Sequence, residues 1–295
     1  MIPLELLKKV QGFYIKGRFL ANDIFSGQYA AAFKGSGMTF EEYREYTPGD
    51  EIRLIDWNVS ARMDRPFVKL FREEREQTLV FLLDVSKSFL FGTLAKSKKD
   101  LATEIAALLA FTAIKSSDKV GLVLFSDRIE RFIPPKKGTA HVWKVISEIS
   151  KHCPISDKTN IQVALKFLGQ VIHKRCIAFL ISDFLDEGYE TELKMASLRH
   201  ELIPIVLYDQ GERKPPAKVM IRFHDLESRQ IQMIDFSHEE TQKKLTQIFQ
   251  KRMQSLSAWF TRYGLDSLFV ETRQDYFKAL LKFFKKREKA VSYAR

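Results

Sequence analysis

Asp84, Ser86 and Ser88 close the apolar run VFLLDVSKS over Val80–Ser88. One carboxylate and two hydroxyls at alternate positions are hard oxygen donors suited to Mg²⁺. Alone, D-x-S-x-S is also found in ordinary turns, because Ser and Asp populate loops. Its meaning depends on where it stands. Thr78 to Leu83 are all β-branched, aromatic or Leu, the pattern of a strand buried on both faces. In an open α/β sheet such a strand delivers the loop after it to the carboxyl edge, where ligands bind. A second run of this type, Arg175–Phe184 (RCIAFLISDF), ends in Ser182 and Asp183. Between them, Thr159 precedes the helical pattern Ile161, Ala164, Leu165, Leu168, Val171, Ile172. It is a candidate loop ligand or a simple N-cap.

Three loops carrying DxSxS, Thr and Asp in that order form a constellation far more specific than any one of them. It resembles the von Willebrand factor A domain with its metal-ion-dependent adhesion site, here Asp84, Ser86, Ser88, Thr159 and Asp183. The resemblance implies a divalent cation, Mg²⁺ or another such as Mn²⁺, with a coordination position that accepts an acidic side chain from a partner. The chemistry agrees: three neutral hydroxyls and two carboxylates leave the ion electrophilic, whereas a cage of four or five acids would saturate it. Phe89 departs from the Met that commonly follows the last serine in that family, and a change of packing is expected there.

The elements that must hold these loops can be read from periodicity. Lys98–Ser116 is helical and apolar almost all round, as a helix buried against a sheet would be. Lys119–Ser126 and Leu202–Leu207 read as strands, and Arg128–Ile133 alternates like an edge strand. Helices are expected over Gly138–His152 and Glu190–His200. Alternation at this pitch predicts an α/β fold with a doubly wound, mostly parallel sheet over residues 76–295. Val219–Phe236 alternates without helical period and predicts a hairpin-like insertion near 217–237. A long helix over Glu239–Tyr263, a last strand Ser267–Glu271 and a closing helix Gln274–Lys289 complete the chain.

The 295 residues suffice for one full α/β domain with an N-terminal extension over 1–75. No apolar stretch approaches the ~20 residues that cross a bilayer, and the N-terminus lacks the apolar centre of a signal peptide. Cys153 and Cys176 stand in no C-x-x-C pattern, which predicts reduced thiols and a cytoplasmic setting. The net charge of +11 concentrates towards the C-terminus, most densely over Lys282–Lys289. There Leu280, Leu281, Phe283 and Phe284 predict an amphipathic helix with a basic, solvated face. Such a face complements the helix macrodipole or attracts nucleic acid or anionic lipid.

The extension carries Gly35-Ser36-Gly37, then Phe40, Tyr43, Arg44, Tyr46, a Pro48-Gly49-Asp50 turn, and Arg53, Ile55, Asp56, Trp57, Ser60, Ala61 and Arg62. So many aromatics predict that residues 35–75 pack on the following domain, with the arginines fixed by carboxylates such as Asp50 and Asp56. Standing directly before the DxSxS strand, this block resembles the signature of the bacterial family called domain of unknown function 58. The resemblance covers essentially the whole chain and implies a partner of the MoxR type among AAA+ ATPases.

Enzyme signatures are missing. There is no G-x-x-x-x-G-K-[ST] loop, no H-E-x-x-H and no G-x-S-x-G elbow, and Gly35-Ser36-Gly37 lacks the strand and third glycine of a dinucleotide fingerprint. His224, Asp225 and Glu227 read as surface residues of the insertion. Asp183, Asp186 and Glu187 could serve a metal-dependent phosphoester hydrolase, although DVSKS has hydroxyls where such chemistry wants a second Asp. The expectation is a non-enzymatic, Mg²⁺-dependent adaptor. Metal-dependent hydrolysis and nucleic-acid binding through the basic C-terminal helix are the alternatives.

Overall fold

The computed structural model describes residues 4–33, 38–73, 76–92, 96–213, 220–224, 231–235 and 238–293. The chain opens with two helices, α1 (Leu4–Leu20) and α2 (Asp23–Phe33). The Asn22 side chain accepts the Phe25 backbone N–H at 2.9 Å, which starts the second. Phe25, Tyr29, Ala32 and Phe33 recur at helical spacing and are buried. Neither helix is among those expected from the sequence pattern.

An antiparallel pair comes next, β1 (Met38–Glu45) and β2 (Phe67–Glu73), with α3 (Trp57–Met63) between them. Asp56 caps α3 by accepting the Asn58 and Val59 N–H groups. This unit is held chiefly by its own contacts. Arg44 pairs with Asp50 at 2.7 Å as expected, but Asp56 pairs with Lys69 at 2.9 Å and not with an arginine. Trp57 is 67% exposed, while α1 and α2 join the core through Phe13, Phe25, Tyr29 and Phe33. Gly35-Ser36-Gly37 lies outside the described residues.

The main sheet is built from β3 (Thr78–Asp84), which leads through α4 (Lys98–Lys115) to β4 (Lys119–Phe125) and β5 (Ile129–Lys136). Helices α5 (Thr139–Lys151) and α6 (Ile161–Val171) lead to β6 (Ile177–Ser182), α7 (Glu190–Arg199) and β7 (Glu201–Tyr208). A short helix α8 (Gln210–Arg213) precedes the antiparallel pair β8 (Met220–His224) and β9 (Ile231–Asp235). That pair is the expected insertion hairpin; Asp225 and Glu227 fall outside the described residues. Then come α9 (Glu239–Arg262), β10 (Leu268–Glu271) and α10 (Tyr276–Tyr293).

Six strands form one sheet in the order β10-β7-β6-β3-β4-β5, all parallel except β5. The fold is therefore the expected mostly parallel α/β type. β5 contains Pro134 and Pro135, which an edge strand tolerates because no outer neighbour needs their missing N–H. Alternate residues of each central strand face opposite layers. Leu79, Phe81 and Leu83 pack under α1, α2, α4, α5 and α10; Val80 and Leu82 pack under α6, α7 and α9. Both faces are covered, so the central strands read as continuous apolar runs. Chain order leaves β3 in one direction to β4 and returns on the other side to β6. The switch point between β3 and β6 opens a crevice at their carboxyl ends.

Candidate metal centre

Asp84 ends β3 and Asp183 directly follows β6, on the two strands that flank the switch point. Both are fully buried. The Ser86 backbone N–H donates to Asp84 Oδ1 at 2.9 Å, and the Ser182 hydroxyl donates to Oδ2 at 2.7 Å. Ser86 and Ser88 share a hydroxyl–hydroxyl hydrogen bond of 3.0 Å, and Ser88 donates to Asp183 Oδ2 at 2.9 Å. Four of the five residues expected from the sequence thus form one continuous network across the crevice.

Thr159 belongs to the third loop of that edge. It is half-buried, and its neighbour Asn160 donates its backbone N–H to the Ser126 carbonyl at the end of β4. Asn160, not Thr159, caps α6, through its side chain on Val163 N–H. Lys87 pairs with Asp157 at 2.6 Å and ties this loop to the DxSxS turn. The described hydrogen bonds bring Asp84, Ser86, Ser88 and Asp183 together and leave the Thr159 hydroxyl outside their network.

The electrostatics of the pair are unfavourable as they stand. Burial, then the nearby Asp183 charge, pushes Asp84 up to about 7, against the hydrogen bonds from Ser86 and Ser182. Asp84 thus feels a second carboxylate in a desolvated setting, and the hydroxyls of Ser86, Ser88 and Ser182 line the two acids. That donor set fits a hard divalent cation.

Four participants were not expected from the sequence. Ser182 links the two strand ends through its bond to Asp84, and its hydroxyl also accepts the Phe184 N–H at 3.0 Å. Phe184 adopts a left-handed backbone, φ 54°, which costs an L-residue roughly 1–2 kcal/mol. Its ring is held by Tyr189 and Phe260, so core packing sustains the sharp turn beside Asp183. Arg252 of α9 donates to the Asp183 carbonyl at 2.8 Å. Lys98, the first residue of α4, is fully buried and donates to Asp183 Oδ2 at 2.8 Å and to Glu212 Oε1 at 2.5 Å. Burial alone would depress its pKa, but the two carboxylates outweigh it and raise it. The signal for Ser182 was its place beside Asp183. A lysine just inside a helix start carries no such signal.

The acidic group considered for hydrolysis is dispersed. Asp186 accepts the Ile161 N–H at 2.7 Å at the start of α6, and Glu187 is exposed. Among the described residues no group of three or more His, Cys, Asp or Glu is arranged to hold a metal. Cys176 is buried and pushed up to about 12 by that burial, and Cys153 is exposed and free.

Residues 42–255, most of the chain, match the family described as protein of unknown function DUF58. The chain belongs to the DUF58 family. Uncharacterized protein Rv1480 of Mycobacterium tuberculosis is 28% identical to this DUF58 chain over 208 residues, 70% of the chain and 66% of the relative. YeaD of Bacillus subtilis, also uncharacterized, is 20% identical over 64% of the chain and 45% of the relative. The chain thus spans just under two thirds of the mycobacterial protein's length. Among solved structures, BatB from Bacteroides thetaiotaomicron matches 72% of the chain and 99% of its own, at 14% identity and a TM-score of 0.48. A von Willebrand factor type A protein from Catenulispora acidiphila matches 76% of the chain and 44% of its own, at 11% identity and a TM-score of 0.36. At these scores the fold of the DUF58 chain rests on its own strand order. No helix among its described residues is long and apolar enough to cross a membrane.

Proposed function

We propose that this protein is a non-enzymatic, cytoplasmic adaptor that uses a divalent cation to capture an acidic side chain of another protein. The cation is Mg²⁺, or another such as Mn²⁺, held by Asp84, Ser86, Ser88, Thr159 and Asp183. The partner that the family resemblance implies is a MoxR-type AAA+ ATPase. One observation carries this reading: Asp84 and Asp183 are buried on either side of the switch point, and the buried ammonium bound to Asp183, that of Lys98, is shared with Glu212, so three carboxylates stand against one cation. A cation between strand ends offsets that deficit, and the hydroxyl-rich set leaves it able to accept one more oxygen.

When bound, the ion supplies a Lewis-acidic position for an outside carboxylate. The chain's own residues do the rest. Asp84 and Asp183 supply the negative charge, Ser86 and Ser88 supply neutral oxygens, and Ser182 fixes the Asp84 carboxylate. Leu90 and Phe91 after the DxSxS turn, and Leu185 after Asp183, are exposed on the same loops. They favour a protein surface in which the acidic residue is flanked by apolar side chains. Hydrolysis has less support because Asp186 is committed to α6. Nucleic-acid binding has less because Arg287 of the basic helix is committed to Glu201 and Asp266.

The test is affinity for a co-purified AAA+ ATPase in Mg²⁺, in EDTA and at raised salt. Linked sites typically couple by roughly 5–150-fold, so EDTA should weaken binding within that range, and Ser86→Ala with Ser88→Ala should reproduce it. Binding that ignores EDTA and both serine changes but collapses in salt would point to the C-terminal lysines instead.

A further inference from the structure

The Lys98 side chain has no exposed surface, and its ammonium lies between Asp183 Oδ2 and Glu212 Oε1, at 2.8 and 2.5 Å. The Phe91 ring lies 5.9 Å away. A lysine enclosed this fully is uncommon and persists only when paired. The oxygen it holds on Asp183 is the one that also receives the Ser88 hydroxyl, so the ammonium occupies the carboxylate oxygen nearest the proposed donor set. Glu212 belongs to α8, and its second oxygen accepts the Asp209 N–H at 3.4 Å. Asp209 in turn accepts from the Gly211 N–H and the Thr272 hydroxyl. Glu212 is therefore anchored at the carboxyl end of β7, one strand beyond β6, on the segment that leads into the insertion.

We propose that Lys98 is a tethered cation that competes with the divalent ion for Asp183, and that Glu212 is the counterweight that draws it aside. The inference rests on the metal reading above. An incoming ion repels the ammonium, which yields Asp183 and leans on Glu212. The pair thereby sets how readily the site takes up metal, and it ties that uptake to the position of α8. Charge on the two residues has opposite consequences. Deleting the Lys98 charge removes the competitor, whereas deleting the Glu212 charge leaves Lys98 on Asp183 alone.

The experiment titrates Mn²⁺ alone, by calorimetry at fixed pH and ionic strength, into the full chain, Lys98→Met and Glu212→Gln. Lys98→Met should bind roughly tenfold tighter or more, the order expected for removing one charge a few ångströms from a bound ion. Glu212→Gln should bind several-fold more weakly. A merely structural lysine predicts that both variants weaken binding or that neither changes it, and either result overturns the proposal. If Lys98→Met does not fold, Lys98→Gln takes its place under the same criterion: tighter binding than wild type supports the proposal, and unchanged or weaker binding overturns it. A wild-type chain that takes up no Mn²⁺ removes the metal reading and this inference together. A wild type that binds, with variants unchanged or in the opposite order, removes this inference alone.

Discussion

Single side chains at the sheet ends carry costs that the fold tolerates for different reasons. Asp118, just before β4, accepts from the Gln77 N–H at 2.8 Å and the Tyr29 hydroxyl at 3.1 Å. Burial still pushes it up to about 6. An acid whose folded pKa is raised holds its proton longer in the folded state than in the unfolded chain. Its contribution is therefore nil below the ordinary carboxylate range, and stability falls as pH rises from about 4 to about 6. Asp118→Asn keeps an acceptor for Gln77 and removes the charge, so urea unfolding at pH 7 should show a gain of up to roughly 3 kcal/mol that shrinks towards pH 4. A variant less stable than wild type at pH 7 would mean that the ionised carboxylate is favourable there. Asp84 shares this raised state but differs in kind, because it faces a second carboxylate as well as a dry environment.

At the scale of elements, α1 and α2 roof the layer in which α4 lies. Gly17 is the point of closest approach: a Cβ there would meet Ala107 Cβ at 2.9 Å and the Phe111 ring at 3.1 Å. Gly17→Val should therefore force α1 from α4 and cost about 1–3 kcal/mol, the usual range for overpacking, measured as a lowered urea midpoint. An unchanged midpoint would show that α1 contributes little to the folded domain. The strands β3 and β6 were legible because burial on both faces leaves an unbroken apolar run, and the loops after them were legible because a run has an end. Helix α1 was not, since Lys8, Lys9, Lys16 and Arg18 interrupt any clean apolar stripe and packing on α4 settles its state; α2 did carry a helical spacing in Phe25, Tyr29, Ala32 and Phe33, which went unread. Trp57 misled in the other direction, because an aromatic residue suggests burial but can equally stand on a surface. The DxSxS turn and Asp183 were readable as donors from their place at strand ends. Lys98 was not, because its burial depends on Glu212, 114 residues away in sequence.

At the scale of the molecule, covering both faces of the sheet leaves its carboxyl edge as the place where polar chemistry can be exposed. Chain order puts the two buried carboxylates on either side of the switch point there, and α9, through Arg252, and α8, through Glu212, both reach Asp183 or its lysine. A bound cation would add to an edge already held by the hydrogen bonds among Asp84, Ser86, Ser88, Ser182 and Asp183, so its removal should leave the secondary structure intact. The central claim is that Asp84 is the indispensable charge of a divalent-cation site. Calorimetric titration of Mg²⁺ into wild type and Asp84→Ala at pH 8, above the range in which Asp84 holds its proton, tests it most directly. Wild type should bind one ion, and Asp84→Ala should bind none while its far-UV circular dichroism stays native. Wild-type affinity retained in a natively folded Asp84→Ala chain would contradict the account.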